Sequence, residues 1–424
     1  MMPEMGLPER PIPASQGSVP TAPKVGVLFV GLGGAVASTT IAGVLAALRG
    51  LVEPRGAITE SSDCAGLELA PLASLTFGGW DINRSPLSER VRGHRVVGAS
   101  TLDAIADDLD RIPVEPGIVT GLDNTVRRLS RGPRLPELGY REAANRLLAD
   151  IAAFRARQGL ERVVVVNCSS TDRPQASGPA HRDIASFERG IEQQAPEISN
   201  GMLYGYAAIS AGCGVVNFTP STAVEIPALR QLAYERGAPL AGRDGKTGQT
   251  LYKTVLAPML RARHLKLKGW YSTNILGNTD GAVLDDPLHG ATKIQSKESV
   301  LEQILGYDDF THRVRIDYYP PRGDAKEAWD CIDFEGWLGT PMSMRVDWQG
   351  SDSALAAPLV LDLVRLTELA QRRAEGGPLA HLAMFFKDPY GTTEQDFFRQ
   401  LVLFQNYVDR CRAEAAATPG VVRP

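Results

Sequence analysis

The chain has 424 residues, 43% of them hydrophobic and 22% charged, with a formal net charge of -4, which is the composition of an ordinary globular protein. It is long enough for two domains, or for one domain with another inserted in it, and its charge balance offers nothing to a nucleic acid or a membrane surface. No apolar run approaches the roughly 18 residues of a membrane span, and the first residues lack the basic-then-apolar order of a signal peptide, so a cytoplasmic location is expected. Five scattered cysteines (Cys64, Cys168, Cys213, Cys331 and Cys411) show no paired spacing, which points to incidental thiols and to no metal site.

Residues 1–22, rich in proline and small polar side chains, read as a mobile arm. From Val25 to Val30 the apolar run "VGVLFV" predicts a strand buried on both faces of a parallel sheet, and Ala35 to Leu51 predicts the helix that follows it. The segments "PLASLTFGGW" and "ERVVVVNCSS" are further buried strands, the second preceded by a helix over "YREAANRLLADIAAFRARQ". Alternation of this kind means an α/β domain with a mostly parallel sheet. Between about Lys246 and Asp352 the pattern changes. There "HLKLKGWYSTNILG", "HRVRIDYYPP", "CIDFEGWLGT" and "PMSMRVDWQG" read as strands joined by short turns, with little helix, and predict a second, more antiparallel domain. A long amphipathic helix over "LAAPLVLDLVRLTELAQRRAEGG" then returns the chain to the first domain. The expected division is therefore 23–245 with 353–424 as one discontinuous domain and 246–352 as the other.

The turn between the first strand and its helix is "GLGG". Gly31 and Gly33 stand where a dinucleotide site needs a tight turn and a close approach of backbone to pyrophosphate; Gly34 adds freedom, and Ala37 takes the place of the third, packing glycine. Such turns also occur in proteins that bind nothing, but here strand and helix flank it correctly. The acidic residue expected about 20 residues further on has two candidates. Glu53 has the offset but ends no strand, whereas Asp81 in "FGGWDIN" follows an apolar strand. Asp81 is preferred for the ribose hydroxyls, and an acid there favours NAD over NADP.

A second region is dense in polar residues that a core does not require: "AGRDGKTGQT", "STNILGNTDG", "ATKIQSKES", "RGDAKEAWD" and "WQGSDSALAAPL". Lys293 and Lys297, four apart, share one face if the segment is helical, and together they suit a phosphate or a shared proton. A lone lysine in such a setting is more often a solvated surface residue; the density of Gly, Asn, Asp and Ser around each one argues for a site.

The blocks "GLGG", "FGGWDIN", "GRDGKTGQT", "NILGNTDG", "KIQSKES", "RGDAKEAWD" and "SDSALAAPLVLDLV", in this order from Lys24 to about Asp388, resemble the myo-inositol-1-phosphate synthase family. The resemblance implies an α/β fold in which a Rossmann-like NAD-binding domain carries an inserted α+β domain for catalysis and oligomerisation, usually as a homotetramer. It implies an isomerase that cyclises D-glucose 6-phosphate to 1D-myo-inositol 3-phosphate by oxidation, enolisation, intramolecular aldol addition and re-reduction, with NAD regenerated in each turnover. Matching the motifs gives Lys293, Lys297, Lys326, Lys387, Asp280 and Asp352 as catalytic residues, with Lys297 and Lys326 for the oxygens of the reacting carbons and Lys293 as proton shuttle. The cofactor contacts expected are Gly31, Leu32, Gly33, Gly34, Ala35, Val36, Asp81, Ile82, Ser169, Asp244 and Asp324. Asn274, Asn278, Ser296 and Lys246 are expected to bind the sugar phosphate.

Four departures bear on the product. Arg243 replaces a carboxylate before the lysine-glycine turn, Thr279 replaces a second asparagine, Phe218 and Thr219 replace Gly-Ser, and "VNCSSTDR" replaces a Thr-Ala-Asn-Thr-Glu-Arg pattern. A related cyclase making a five-membered cyclitol phosphate from fructose 6-phosphate would use the same lysines. A sugar-phosphate dehydrogenase and a catalytically silent binding protein are the remaining readings.

Overall fold

The computed structural model describes residues 24–120, 137–172, 175–277 and 300–417. The expected arm lies outside them, as do Asn278, Thr279, Asp280, Lys293, Ser296 and Lys297.

Among the described residues seven strands form a parallel sheet: β1 (Val25–Val30), β2 (Leu75–Asp81), β3 (Val114–Pro116), β4 (Arg162–Asn167), β5 (Gly214–Asn217), β6 (Pro239–Gly242) and the short β11 (Gly377–Pro378). Their spatial order is β11-β6-β5-β4-β1-β2-β3. The order runs outward in both directions from β1 and β4, so the sheet is doubly wound and its topological switch point lies between those two strands. All six residues of β1 are buried, because it pairs with β2 on one side and β4 on the other, Val27 facing Phe77 and Val164, with helices covering both faces.

Helix α1 (Ala35–Leu48) follows β1 and stops three residues short of the expected end, since Gly50 takes φ +68 and turns the chain out of the helix. Helices α2 (Leu87–His94) and α3 (Ala99–Asp110) join β2 to β3. Helix α4 (Tyr140–Gln158) occupies the predicted segment; its apolar stripe of Ala143, Leu147, Ile151 and Phe154 is buried, and Gly159 at φ 62 caps it. Helices α5 (Ile184–Gln193), α6 (Asn200–Ser210) and α7 (Pro227–Arg236) complete that connection pattern.

The second sheet has the order β10-β9-β7-β8, from β7 (Lys266–Leu276), β8 (Thr311–Tyr318), β9 (Ala325–Glu335) and β10 (Pro341–Ser351). It is mixed: β9 pairs antiparallel with β7 and β10, but β7 and β8 are parallel. The expectation of short turns and little helix needs correction on this point, and also because α8 (Gln249–Ala262) opens the region. Pro258 within it masks a helix whose Thr250, Thr254, Ala257 and Leu260 turn inward. Leu260 packs with Leu267, Trp270 and Ile332 in a core under one face of the sheet. The opposite face carries Trp329, 39% exposed, with Tyr271 against it at 5.3 Å between ring centroids.

Helix α9 (Asp352–Arg372) leaves β10 and runs through the first sheet's core, so the two layers share one buried element. Its Asp362 is fully buried and accepts from Ile58 N, Thr59 N and Thr59 Oγ1 at 3.0, 2.9 and 2.6 Å, which pins the segment inserted before β2. Burial pushes that carboxyl up to about 6. The final helix, α10 (Phe397–Ala417), packs Phe404 on Phe385.

Candidate functional site

The glycine turn sits at the carboxyl end of β1, at the switch point. Gly31 takes φ +82, and a Cβ there would lie 3.1 Å from the Cys168 carbonyl oxygen and from Ser169 Cα, so both conformation and space require glycine. The turn is tied to the end of β2: Gly31 N and Leu32 N donate to the Trp80 carbonyl at 2.9 and 3.1 Å. Gly33 N donates to Asp81 Oδ2 at 2.8 Å, and Asn83 N to Asp81 Oδ1 at 2.8 Å. The Leu32 side chain is wholly in the core, so only its backbone faces the turn. Helix α1 begins at Ala35 with no side-chain cap and no acid in its first turn, leaving the positive end of the helix, at Ala35 and Val36, for an anion.

Asp81 is buried at the end of β2, with Ile82 half-buried after it, whereas Glu53 is exposed and bonded to Arg55 at 2.8 Å. Ser169 packs its backbone against Gly31, while its hydroxyl bonds Asn167 Oδ1 at 2.7 Å. The turn, Asp81 and Ser169 thus line one crevice. With the turn's own amides held by Trp80 and Asp81, the uncapped start of α1 is what this crevice offers a dinucleotide pyrophosphate, with Asp81 placed for the ribose.

A second group of functional side chains gathers where β6 ends. Asp244, two residues past β6, accepts from Lys387 Nζ at 2.7 Å, and its Oδ2 is buried without a hydrogen-bond partner among the described residues. Backbone bonds zip the two segments together: Lys387 N to the Asp244 carbonyl at 2.7 Å and Lys246 N to the Phe385 carbonyl at 2.8 Å. A second pair faces the same cleft, in which Lys326 Nζ at the start of β9 donates to Asp352 Oδ1 at the start of α9 at 2.8 Å. The cleft is lined by Lys326, Asp352 and Lys387 with Asn274, Leu276, Ile316 and the run Thr247 to Thr250, while Asp244 holds Lys387 from outside the lining.

That run is the N-terminus of α8. A Cβ on Gly248, its N-cap, would come within 3.3 Å of Lys326 Nζ, so an ammonium and a positive helix end converge. Thr250 Oγ1 is buried there with no partner among the described residues. Asn274 is 2% exposed and gives its amide to Gln249 Oε1, while Gln249 Nε2 donates to the Thr273 carbonyl at 2.9 Å and Asp330 Oδ2 at 3.2 Å. The sequence points to Lys246 in this motif and not to Thr247, Gly248, Gln249 and Thr250, whose one signal is a glycine one residue ahead of a helical pattern.

Other expected residues are committed elsewhere. Lys246 points away from the cleft into the protein, donating to Gln400 Oε1 on α10 at 2.6 Å, and burial with the nearby Lys387 charge holds its ammonium down at about 7. Asp324, expected at the cofactor, spends both oxygens on the start of α9: it accepts from Ser351 Oγ at 2.5 Å, Ser353 Oγ at 2.6 Å and Ser353 N at 3.2 Å. Arg243 turns outward to Asp388 at 2.7 Å and Thr222 Oγ1 at 2.5 Å.

A doubly wound sheet with this crevice, next to a cleft of lysine–carboxylate pairs, defines an NAD-binding protein with a site for a small anionic substrate. The chain matches the family described as myo-inositol-1-phosphate synthase over residues 25–409, and it belongs to that family. It is 40% identical to inositol-3-phosphate synthase 1 of Bacteroides thetaiotaomicron, over 90% of this chain and 94% of that one. It is 30% identical to inositol-3-phosphate synthase 1 of Rattus norvegicus, over 82% and 69%. Its fold overlays the crystal structure of inositol-3-phosphate synthase from Caenorhabditis elegans with a TM-score of 0.85 at 25% identity, covering 92% of this chain and 86% of that one. No helix among the described residues is long and apolar enough to cross a membrane.

Proposed function

We propose that the chain is an isomerase that cyclises D-glucose 6-phosphate to 1D-myo-inositol 3-phosphate with NAD regenerated in each turnover. The observation that carries this is the meeting of Lys326, Lys387 and the N-terminus of α8 in one cleft beside the dinucleotide sheet. NAD, when bound, supplies reversible hydride transfer with a sugar carbon. The protein's own residues supply the rest.

The helix end, the Thr250 hydroxyl and Lys326 hold the phosphate, an arrangement suited to a dianion. Lys387, kept in position by Asp244, faces the sugar oxygens, where negative charge grows as the ring closes; a fixed ammonium out of bulk water stabilises that charge without reorganising. Asp352 orients Lys326. Lys293, Lys297, Asp280, Asn278 and Ser296 are proposed to complete the site, with Lys293 moving the proton. Asn274, in the cleft lining, gives its amide to Gln249, and Lys246 supports the Asp244–Lys387 segment from behind.

The division into 23–245 with 353–424 and 246–352 remains our reading of the domains, and we assign the protein to the cytoplasm. The open face of the second sheet, with Trp329 exposed, and the β9–β10 turn, with Trp337 and Leu338 86% and 87% exposed, support assembly through that sheet, as a homotetramer. The test is to incubate purified protein with glucose 6-phosphate or fructose 6-phosphate and a trace of NAD, and to identify the phosphorylated product by NMR. A six-membered inositol phosphate from glucose 6-phosphate, with many turnovers per NAD, is expected. A five-membered product, or NADH accumulating one for one with product, would overturn the assignment.

A further inference from the structure

The open face of Gly33 is not empty. The second glycine of a dinucleotide turn lacks a side chain so that pyrophosphate can approach the backbone, and here a Cβ on Gly33 would fall 2.8 Å from both Cζ and an Nη of Arg90. Helix α2 delivers that guanidinium. Arg90 Nη1 donates to the Asn83 carbonyl at 3.1 Å and stands 3.5 Å from Asp81 Oδ1, with its side chain 20% exposed. His94, one turn further along α2, brings Nε2 to 3.0 Å from the Gly33 carbonyl oxygen. Asp81, Gly33, Arg90 and His94 therefore form a closed set, in which α2 is packed onto the turn and the acid at the end of β2 already has a cation beside it.

Electrostatics says what this set is for. A dinucleotide brings a doubly charged pyrophosphate to a turn whose nearest full charge in the chain would otherwise be the Asp81 carboxylate. The end of α1 contributes only about half a positive charge. A guanidinium offers a planar fork of donors matched to phosphate oxygens. It is already at the Gly33 face, and its tether to Asp81 is long enough to yield.

We propose that Arg90 is a phosphate ligand of the bound dinucleotide, held on Asp81 while the site is free of cofactor and transferred to phosphate when the cofactor enters. The transfer opens a second acceptor position on Asp81 Oδ1, beside its bond from Asn83 N, for the ribose hydroxyls. This rests on the assignment of NAD to the crevice, and the wild-type titration below tests that assignment separately. The two phosphates within reach of such a residue are the pyrophosphate and, in NADP, the 2'-phosphate beside the same ribose.

The experiment is calorimetric titration of NAD and of NADP into the wild-type protein, Arg90→Met and Arg90→Lys, at low and moderate salt, with thermal melts of each cofactor-free protein. Wild-type binding of NAD establishes the site. Arg90→Met is expected to melt like wild type, to raise the Kd for NAD by about 10- to 100-fold, and to flatten its dependence on salt, with Arg90→Lys between the two. Loss confined to NADP would place the guanidinium at a 2'-phosphate and overturn its role as a ligand of NAD. Unchanged affinity for both dinucleotides overturns the proposal. So does a loss with the wild-type salt dependence intact, which would mean that Arg90 only shapes the turn.

Discussion

Lys246 offers a direct test of how the interior behind the site is built. Its side chain is 2% exposed and bonded to Gln400, and burial together with the Lys387 charge lowers its value from 10.5 to about 7. At about 1.4 kcal/mol for each unit, that difference is worth on the order of 5 kcal/mol of disfavoured protonation in the fold. The folded value lies below the unfolded one, so between pH 7 and 10.5 the unfolded chain holds a proton that the folded protein does not. Stability from this group therefore rises with pH across that window, by up to about 1.4 kcal/mol per pH unit, and below it the full penalty stays constant. Lys246→Met keeps the apolar stem and removes the titration, leaving Gln400 Oε1 without its donor. Urea unfolding, followed by tryptophan fluorescence at fixed protein concentration without cofactor, gives the difference between variant and wild type at each pH. That difference should move in favour of wild type by about 2 to 3 kcal/mol between pH 7.5 and 9.5. A difference that does not vary with pH would mean that Lys246 stays charged in the fold, and the reasoning would fail.

Lys326→Met removes the ammonium beside the α8 N-terminus, and steady-state kinetics should show KM for glucose 6-phosphate raised by about tenfold or more, with a smaller loss in kcat. A loss confined to kcat would move Lys326 to the reacting oxygens, the role the sequence suggested. Gly33→Val directs a branched side chain at the flexible end of Arg90, so the protein should fold while NAD affinity measured by calorimetry drops sharply; unaltered affinity would remove the turn from the cofactor site. Asp324→Ala strips three hydrogen bonds from the start of α9 and should destabilise the protein by about 2 to 4 kcal/mol with NAD affinity retained, whereas a selective loss of NAD binding would return Asp324 to the cofactor.

The parts of this fold legible in the sequence are those governed by local pattern. A two-sided apolar run gives β1, a clean 3.6-residue stripe gives α4 with its glycine cap, and a glycine turn between strand and helix marks the crevice. Asp81 could be preferred to Glu53 because it ends an apolar strand. What the pattern could not show is pairing at a distance. The contacts of Lys326 with Asp352 and of Lys387 with Asp244 join residues 26 and 143 positions apart. Arg90 sits 57 positions from the glycine it covers and carries no motif of its own. The bonds of Asp324 are illegible in the sequence for a related reason. A carboxylate in a Gly-Asp-Ala-Lys turn next to a lysine looks like a ligand, and only the position of Ser351 and Ser353 shows that it braces a helix.

Arg243 makes the same point from the opposite side. In sequence it replaces a carboxylate within the site motif, which suggests an altered specificity. In the structure its guanidinium leaves the cleft for Asp388 and Thr222, while its backbone exchanges hydrogen bonds with Asp388, N to O at 2.7 Å and O from N at 3.2 Å. Tyr390 N donates to the Gly242 carbonyl alongside. The arginine is thus a clasp on the outside of the paired segments that carry Asp244 on one side and Lys387 on the other. A guanidinium there meets a half-exposed carboxylate at the outer end of that ladder and leaves the inner pair untouched. A substitution in a site motif alters chemistry only where its side chain faces the ligand, and the bonds of Arg243 turn it away.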